Sequence, residues 1–348
     1  MTTPDPSFDR LRTALYCGVP DRVPLIEVLV DHEMKEAFLG QPVRDVQADL
    51  QFWLNARYDY IILGRRLLGF PPFWNQATLE DHYQVQAQRP ATPGERGPVS
   101  SHSDFHAYPW MKPCEIDFRI LDQVEQHLPD EMKVVRYLGP VFQMVWMLMG
   151  FETFVFALQD EPALVKDMFE TISELVRAEF DDAIVRDTIG AIWYVDDVAF
   201  KTGTMVDPAV LRQFQFPLIR DMARRCRERD IPFIYHTDGN IAEIIPDLID
   251  MGINALHPLE PVAVDICQMK RDYGDRLCLC GNIELATVLA TGTKEEVIED
   301  TRIHISQLAP GGGYCLGSSN SVTRDIPLDN YQAMINTAME FGQYPIES

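Results

Sequence analysis

The run Ile231-Pro-Phe-Ile-Tyr235 passes into His236-Thr-Asp-Gly-Asn240 and then into Ile241-Ala-Glu-Ile-Ile-Pro-Asp-Leu-Ile-Asp250. A short apolar run, a polar tip and an amphipathic run read as strand, turn and helix. His236 and Asp238 are two residues apart, so on extended backbone both side chains leave the same side of the strand. In a parallel α/β protein the C-terminal ends of the strands are where ligands bind. The same residues also suit a helix N-cap, with Asp238 or Asn240 accepting backbone N–H bonds. The two readings separate on whether other strands in the chain end in the same way.

They do. A first strand is expected over Asp21–Val30, a second over Tyr58–Gly64 ending at Arg65-Arg66, and a third over Lys133–Gly139. The fourth is Ala191–Val195, ending in Asp196-Asp197; the fifth is 231–235; the sixth is Ala255–Leu259, ending at Glu260. The seventh, Leu277–Cys280, ends at Gly281-Asn282, and the eighth, Gly313–Leu316, ends at Gly317-Ser-Ser-Asn320. Helical runs lie between them. The longest is Glu161–Asp187, where Leu164, Val165, Met168, Phe169, Ile172, Leu175 and Val176 recur at helical spacing. Eight strands alternating with helices predict a (β/α)8 TIM barrel over residues 1–348, a single domain with an N-terminal helical segment. Periodicity fails at about 70–115, a stretch rich in Pro, Gly, Ser and aromatic residues. A loop or hairpin insertion is expected there, with the alternating run from Tyr83 as a strand. The alternative is an open doubly wound sheet. Glu27-Val-Leu-Val-Asp31 contains no glycine and the chain has no Walker loop, which argues against NAD and ATP.

Composition narrows the partners. The chain has 348 residues, 46% of them hydrophobic, and a net charge of −23. Nucleic acid and anionic membranes are bound through Lys and Arg, so neither is an expected partner. The N-terminus carries no apolar segment after a basic one, and seven cysteines form no paired framework. Both suit the cytoplasm. The most apolar stretch, Tyr137–Leu158, includes Pro140, Gln143, Glu152 and two glycines, and reads as a buried loop and helix rather than a membrane span.

In a barrel the strand ends meet at one mouth. Glu27, Arg65, Asp196, Asp197, His236, Asp238, His257, Glu260, Asn282 and Asn320 would gather there. Asp196 and Asp197 are adjacent, so only one of them faces the mouth and the other makes a salt bridge or a cap. His236 and Asp238 suit two metal ligands, or an imidazole oriented by a carboxylate for acid–base work. Two ligands are not a metal site by themselves. Cys280, at the end of its strand, is a soft donor that could join His236 and Asp238 on zinc, although Cys278-x-Cys280 also reads as two small buried side chains.

Several motifs together resemble the uroporphyrinogen decarboxylase superfamily. They are Asp21-Arg-Val-Pro, Tyr58-Asp-Tyr-Ile-Ile, Gly139-Pro140 with Gly150-Phe-Glu, and Asp196-Asp-Val-Ala-Phe-Lys-Thr-Gly203. Phe216-Pro217, His236-Thr-Asp-Gly-Asn240, Gly281-Asn282, and Gly311-Gly-Gly-Tyr with Pro327-Leu-Asp-Asn330 continue the match in order over nearly the whole chain. The resemblance implies a (β/α)8 barrel and one of two activities. One is the heme-pathway decarboxylation. The other is methyl transfer to or from a corrinoid (cobalamin) protein, with coenzyme M or a pterin as acceptor. A homodimer would also fit the family.

The departures favour the second branch. The decarboxylase's Arg-Gln-x-Gly-Arg stretch is missing; the region after the first strand reads Asp31-His-Glu-Met-Lys-Glu. Its aspartate, tyrosine, serine and histidine fall at Arg65, Trp146, Asp197 and Asn320. An acidic mouth would also repel a polycarboxylate. The zinc-dependent methyltransferases carry His-x-Cys and a later cysteine, where this chain has His236-x-Asp238 and Asn320. The expectation is therefore a methyltransferase acting on a small methyl donor such as a methoxy compound or an amine. Asp197, His236 and Asp238 would be catalytic, and Arg65, Trp146, Asp196, Glu260, Asn282 and Asn320 would bind substrate. A carboxy-lyase on a smaller acid, with Arg65 gripping a carboxylate, and a barrel that binds a corrinoid or tetrapyrrole without chemistry are the alternatives.

Overall fold

The structure is a computed structural model and describes residues 5–64 and 97–346. Arg65 and the alternating run at 83–88 lie outside those residues. The centre of the fold is a parallel sheet of seven strands: β1 Tyr60–Gly64, β2 Lys133–Leu138, β3 Ile189–Val195, β6 Phe233–His236, β7 Ala255–His257, β8 Cys278–Cys280 and β9 Tyr314–Cys315. Each pairs with the next in chain order. Parallel neighbours need long crossovers, and helices supply them. Between β3 and β6 the chain makes a small antiparallel hairpin, β4 Ala199–Phe200 with β5 Gly203–Thr204, which the sequence reading did not include.

The expected first strand is the correction to the eight-stranded barrel. Residues 21–30 make only isolated bridges: Arg22 with Gln343, Leu25 with Leu316, and Val30 with Val322. Pro24 has no N–H to contribute to a ladder, though its carbonyl accepts from Leu316 N at 3.0 Å. On the other side the stretch meets β1 through a side chain: Glu27 N and Glu27 O both bond the Tyr60 hydroxyl at 2.7 Å. The architecture is α/β with a curled parallel sheet. The curl brings Asn320, beyond β9, against Asp238, beyond β6.

Helices fall close to the expected runs. Pro162–Ala183 buries Leu164, Val165, Met168, Phe169, Ile172, Leu175 and Val176 on one face. The apolar stretch after β2 forms two helices, Phe142–Met149 and Phe151–Asp160, bent by 98° at the break. Gly150 makes the bend with φ +84°, a left-handed value that favours glycine. Among the described residues no single helix is long and apolar enough to cross a membrane. The segment leading into β6 likewise forms two helices, Pro208–Phe214 and Phe216–Glu228, separated at Gln215 just before Pro217.

Two of the motifs quoted above meet in one buried ion network. Asp59 is fully buried and accepts from Arg10 at 2.6 Å, Arg22 at 3.3 Å and Ser7 N at 3.0 Å. Arg10 also grips Asp21 with two bonds, at 2.6 and 2.8 Å. These bonds tie the N-terminal helix, Phe8–Leu15, to the 21–30 stretch and β1.

Candidate functional site

β3 ends in two carboxylates that point in opposite directions. Asp196 turns inward and is fully buried. It accepts from Val141 N, Phe142 N and Gln143 N at 2.7–2.8 Å, from the Tyr194 hydroxyl at 2.8 Å and from Gln215 Nε2 at 2.7 Å. Burial raises its pKa to about 6, although Gln143, Tyr194, Gln215 and Phe142 all bond it. Asp196 therefore holds the start of the helix Phe142–Met149 in place instead of facing a ligand, which corrects its expected substrate contact. The break at Gln215 also gains a purpose, since the amide between the two helices reaches this carboxylate.

Asp197 turns the other way and meets the end of β6. Its Oδ1 accepts from Asp238 N at 3.1 Å and its Oδ2 from Gln143 Nε2 at 3.2 Å. His236 Nε2 lies 3.6 Å from Asp238 Oδ1 and 3.9 Å from Asp197 Oδ1. Asn320 Nδ2 bonds both Asp238 oxygens at 3.0 Å. Glu260 accepts from Gly239 N at 2.9 Å, one residue further on. Gly239 has φ +84°, and a Cβ there would lie 2.6 Å from Ala199 O, so glycine lets this turn pack on the β4–β5 hairpin. Asp197, His236, Asp238, Glu260 and Asn320, all expected at the mouth, are thus brought together.

Their electrostatics follow from crowding. Burial, then the charges of Asp197 and Glu260, push Asp238 up to about 8 against the Asn320 bonds. A carboxyl with that value is largely protonated at neutral pH. His236 is pushed down to about 4 by burial, although Asp197 works to raise it. Its other nitrogen faces a second histidine: His236 Nδ1 and His257 Nδ1 are 2.7 Å apart, with the rings stacked at 4.9 Å. The pairing follows from register, since His236 is the β6 partner of His257 on β7. Burial, and then His236, hold His257 well below the usual histidine value.

Both rings are therefore neutral near pH 7, and one proton sits between the two Nδ1 atoms. If His236 carries it, His236 Nε2 is a lone pair facing the carboxylates. That form suits a protonated Asp238 or a cation. If His257 carries it, an N–H points at an ionised Asp238. The proton on Asp238 and the tautomer of His236 are linked through this contact.

Aromatic rings link the Phe142–Met149 helix, which carries Gln143, to the β4–β5 hairpin. Trp146 is 7% exposed and packs edge-on against Phe151, which packs against Phe200 of β4. The Trp146 indole N–H is buried and unpartnered among the described residues. Tyr137 on β2 went unnoticed in the sequence. Its hydroxyl is pushed well up, first by burial and then by the charges of Asp197, Asp196 and Asp238. Its β1 register partner is Gly64, where a Cβ would stand 2.5 Å from that of Tyr137. Only a residue without a side chain leaves room for the ring.

Other expected site residues lie elsewhere. Asn282 is buried, donates to Leu259 O and bonds His304 Nε2 at 3.1 Å, so it braces two loops. Glu27 is fully buried and accepts from Ser318 N at 2.8 Å and the Ser318 hydroxyl at 2.6 Å. Cys280 sits with Cys278 and Cys315, whereas the metal-spaced group at the mouth is Asp197, His236 and Asp238. The grouping of Cys280 with His236 and Asp238 is corrected accordingly: as the last residue of β8 its thiol turns onto β9, and Asp197 takes its place.

Comparison with known proteins places this geometry in a lineage. Residues 84–341 match the family model described as Uroporphyrinogen decarboxylase (URO-D). Curated proteins named uroporphyrinogen decarboxylase from strains of Coxiella burnetii are 25% identical over 154 residues, 42% of this chain and 41% of theirs. The match spans about two fifths of the length of those relatives. A solved structure of a methyltransferase from Methanosarcina mazei superposes with a TM-score of 0.68 at 16% identity, over 97% of this chain and 99% of the other. At that identity the likeness is one of fold.

Proposed function

The chain belongs to the uroporphyrinogen decarboxylase family, and we propose that within it the protein is a methyltransferase. It would take a methyl group from a small donor, a methoxy compound or an amine, and pass it to a corrinoid carried by a partner protein, or to a thiol or pterin. The observation that carries this reading is Asp238: a carboxyl 3.6 Å from His236 Nε2, crowded by Asp197 and Glu260 and pushed up to about 8 by burial and their charges. In methyl transfer the carbon–heteroatom bond breaks, the heteroatom keeps the electron pair, and it needs a proton. Asp238 supplies that proton. Asn320 fixes the carboxyl with two bonds, and Asp197 keeps its proton affinity high. His236, oriented by His257, takes up the change as Asp238 ionises.

The same surplus of negative charge fits a divalent cation such as zinc. Donor atoms of Asp197, His236 and Asp238 all lie within 4.8 Å of one another, and these three would hold it. Bound there, the ion would supply a Lewis acid for the leaving heteroatom. Among the described residues the acidic side chains Asp197, Asp238 and Glu260 meet in this cluster, which tells against a polycarboxylate substrate. We also read the seven strands, with residues 21–30 laid between β9 and β1, as a variant of the (β/α)8 barrel; the bridge of Leu25 to Leu316 and the Tyr60 bonds to Glu27 support this.

The test is a panel of methoxylated aromatics and methylamines, with reduced free cobalamin as acceptor and carbon dioxide release measured in parallel on a porphyrinogen. The proposal predicts demethylation of at least one donor and no carbon dioxide. Release of carbon dioxide without demethylation would replace it with the decarboxylase reading.

A further inference from the structure

One cluster of reactive side chains plays no part in the chemistry above. Cys278 and Cys280 alternate around Leu279 on β8, so both thiols leave the same face of the strand. Cys280 is the register partner of Cys315 on β9. All three are wholly buried, their sulfur atoms lie within 4.8 Å of one another, and the Cys278 and Cys315 sulfurs are 3.7 Å apart. With zinc–sulfur bonds of about 2.3 Å, sulfurs on a tetrahedral or trigonal ion stand roughly 3.8–4.0 Å apart. The spacing between strand neighbours thus presents three soft donors at coordination distance.

We propose that Cys278, Cys280 and Cys315 form a second metal site, distinct from the mouth, for a thiophilic ion such as zinc. Soft thiolates select such ions, whereas the oxygen-rich mouth suits a harder one. A divalent ion with three thiolates leaves one negative charge. Lys270 is placed to balance it: the half-buried ammonium donates to Gly312 O, just before β9, and feels Cys278, Cys17 and Cys315. Cys17, partly exposed, lies against Gly313, one residue before β9.

The experiment uses the full chain carrying Cys114→Ser, which removes an exposed thiol, and His236→Ala, which disables the mouth. Reduced, metal-free protein is titrated with cadmium, followed by sulfur-to-metal charge-transfer absorbance and by X-ray absorption for the number of sulfur neighbours. The proposal predicts one ion per chain with three or four sulfurs. It also predicts that Cys280→Ala, or Cys280→Ser if the alanine variant does not fold, loses about tenfold or more in affinity and at least one sulfur. Absence of the charge-transfer band at one equivalent, or an unchanged sulfur count in the Cys280 variant, would make the three cysteines core packing and nothing more.

Discussion

Replacing Glu27 by Gln should flatten the pH dependence of stability by about 4 kcal/mol between pH 5 and pH 9. Burial pushes this carboxyl from 4.5 up to about 8, against two hydrogen bonds from Ser318. A folded-state value above the unfolded one means that the native protein holds the proton more tightly. That stabilisation is complete below pH 4.5, shrinks as pH rises, and is lost once pH passes about 8. Each unit of difference is worth about 1.4 kcal/mol, and most of the interval lies between pH 5 and pH 9. Glu27 is fully buried, so solvent screening does little to reduce the figure. Glutamine keeps a carbonyl for Ser318 N and cannot ionise. The other raised carboxyls among the described residues, Asp59, Asp196, Asp238 and Asp300, are common to both proteins and cancel in the comparison. Urea unfolding at several pH values would give the two stability curves. Curves that fall in parallel, within about 1 kcal/mol, would refute the argument for Glu27.

Asp196→Asn puts an NH2 group where five donors now converge, and should cost about 2–4 kcal/mol, read as a drop of several degrees in melting temperature. An unchanged melt would remove its role as the anchor of the Phe142–Met149 helix. Asn320→Ala deletes the two bonds that favour ionised Asp238, so the high-pH limb of methyl-transfer activity should move to still higher pH in metal-free protein; a shift downward would contradict this. His257→Phe keeps an aromatic ring beside Trp193 but leaves His236 Nδ1 without its partner. Activity should fall about tenfold to a hundredfold with the fold retained, and an unaltered rate would show that the pair does not set the His236 tautomer.

Much of this site could be read in the sequence because two-residue periodicity survives folding. His236 and Asp238 share a side as expected, and Asp196 and Asp197 do diverge. Which of the two aspartates faces the mouth depends on the amides of residues 141–143, far away in the chain, and no local pattern records that. The His236–His257 contact rests on register between strands, which a single sequence does not encode. His257 had been placed at a strand end without its partner. Tyr137 was hidden within an apolar run, and the glycine opposite it, Gly64, was its one trace. Cys280 was assigned to the mouth because its strand ends there, but its thiol faces along the sheet to Cys315. The first strand stops at isolated bridges because Pro24 lacks an N–H and, toward β1, the Glu27 backbone bonds the Tyr60 hydroxyl in place of a ladder. The hairpin at 199–204 has two-residue strands, too short to show any alternation.

The account turns on Asp238 as the source of positive charge for a departing heteroatom. The most direct measurement is the single-turnover rate of methyl transfer at pH 7 for the native protein and for Asp238→Asn, with melting temperatures taken on the same samples. Asparagine keeps the size and one acceptor but can neither deliver the proton nor serve as an anionic ligand. A fall of about a hundredfold or more, with the melt within a few degrees, is the predicted result. A rate within about threefold of the native protein would contradict the role given to Asp238 and, with it, the chemistry assigned to the mouth.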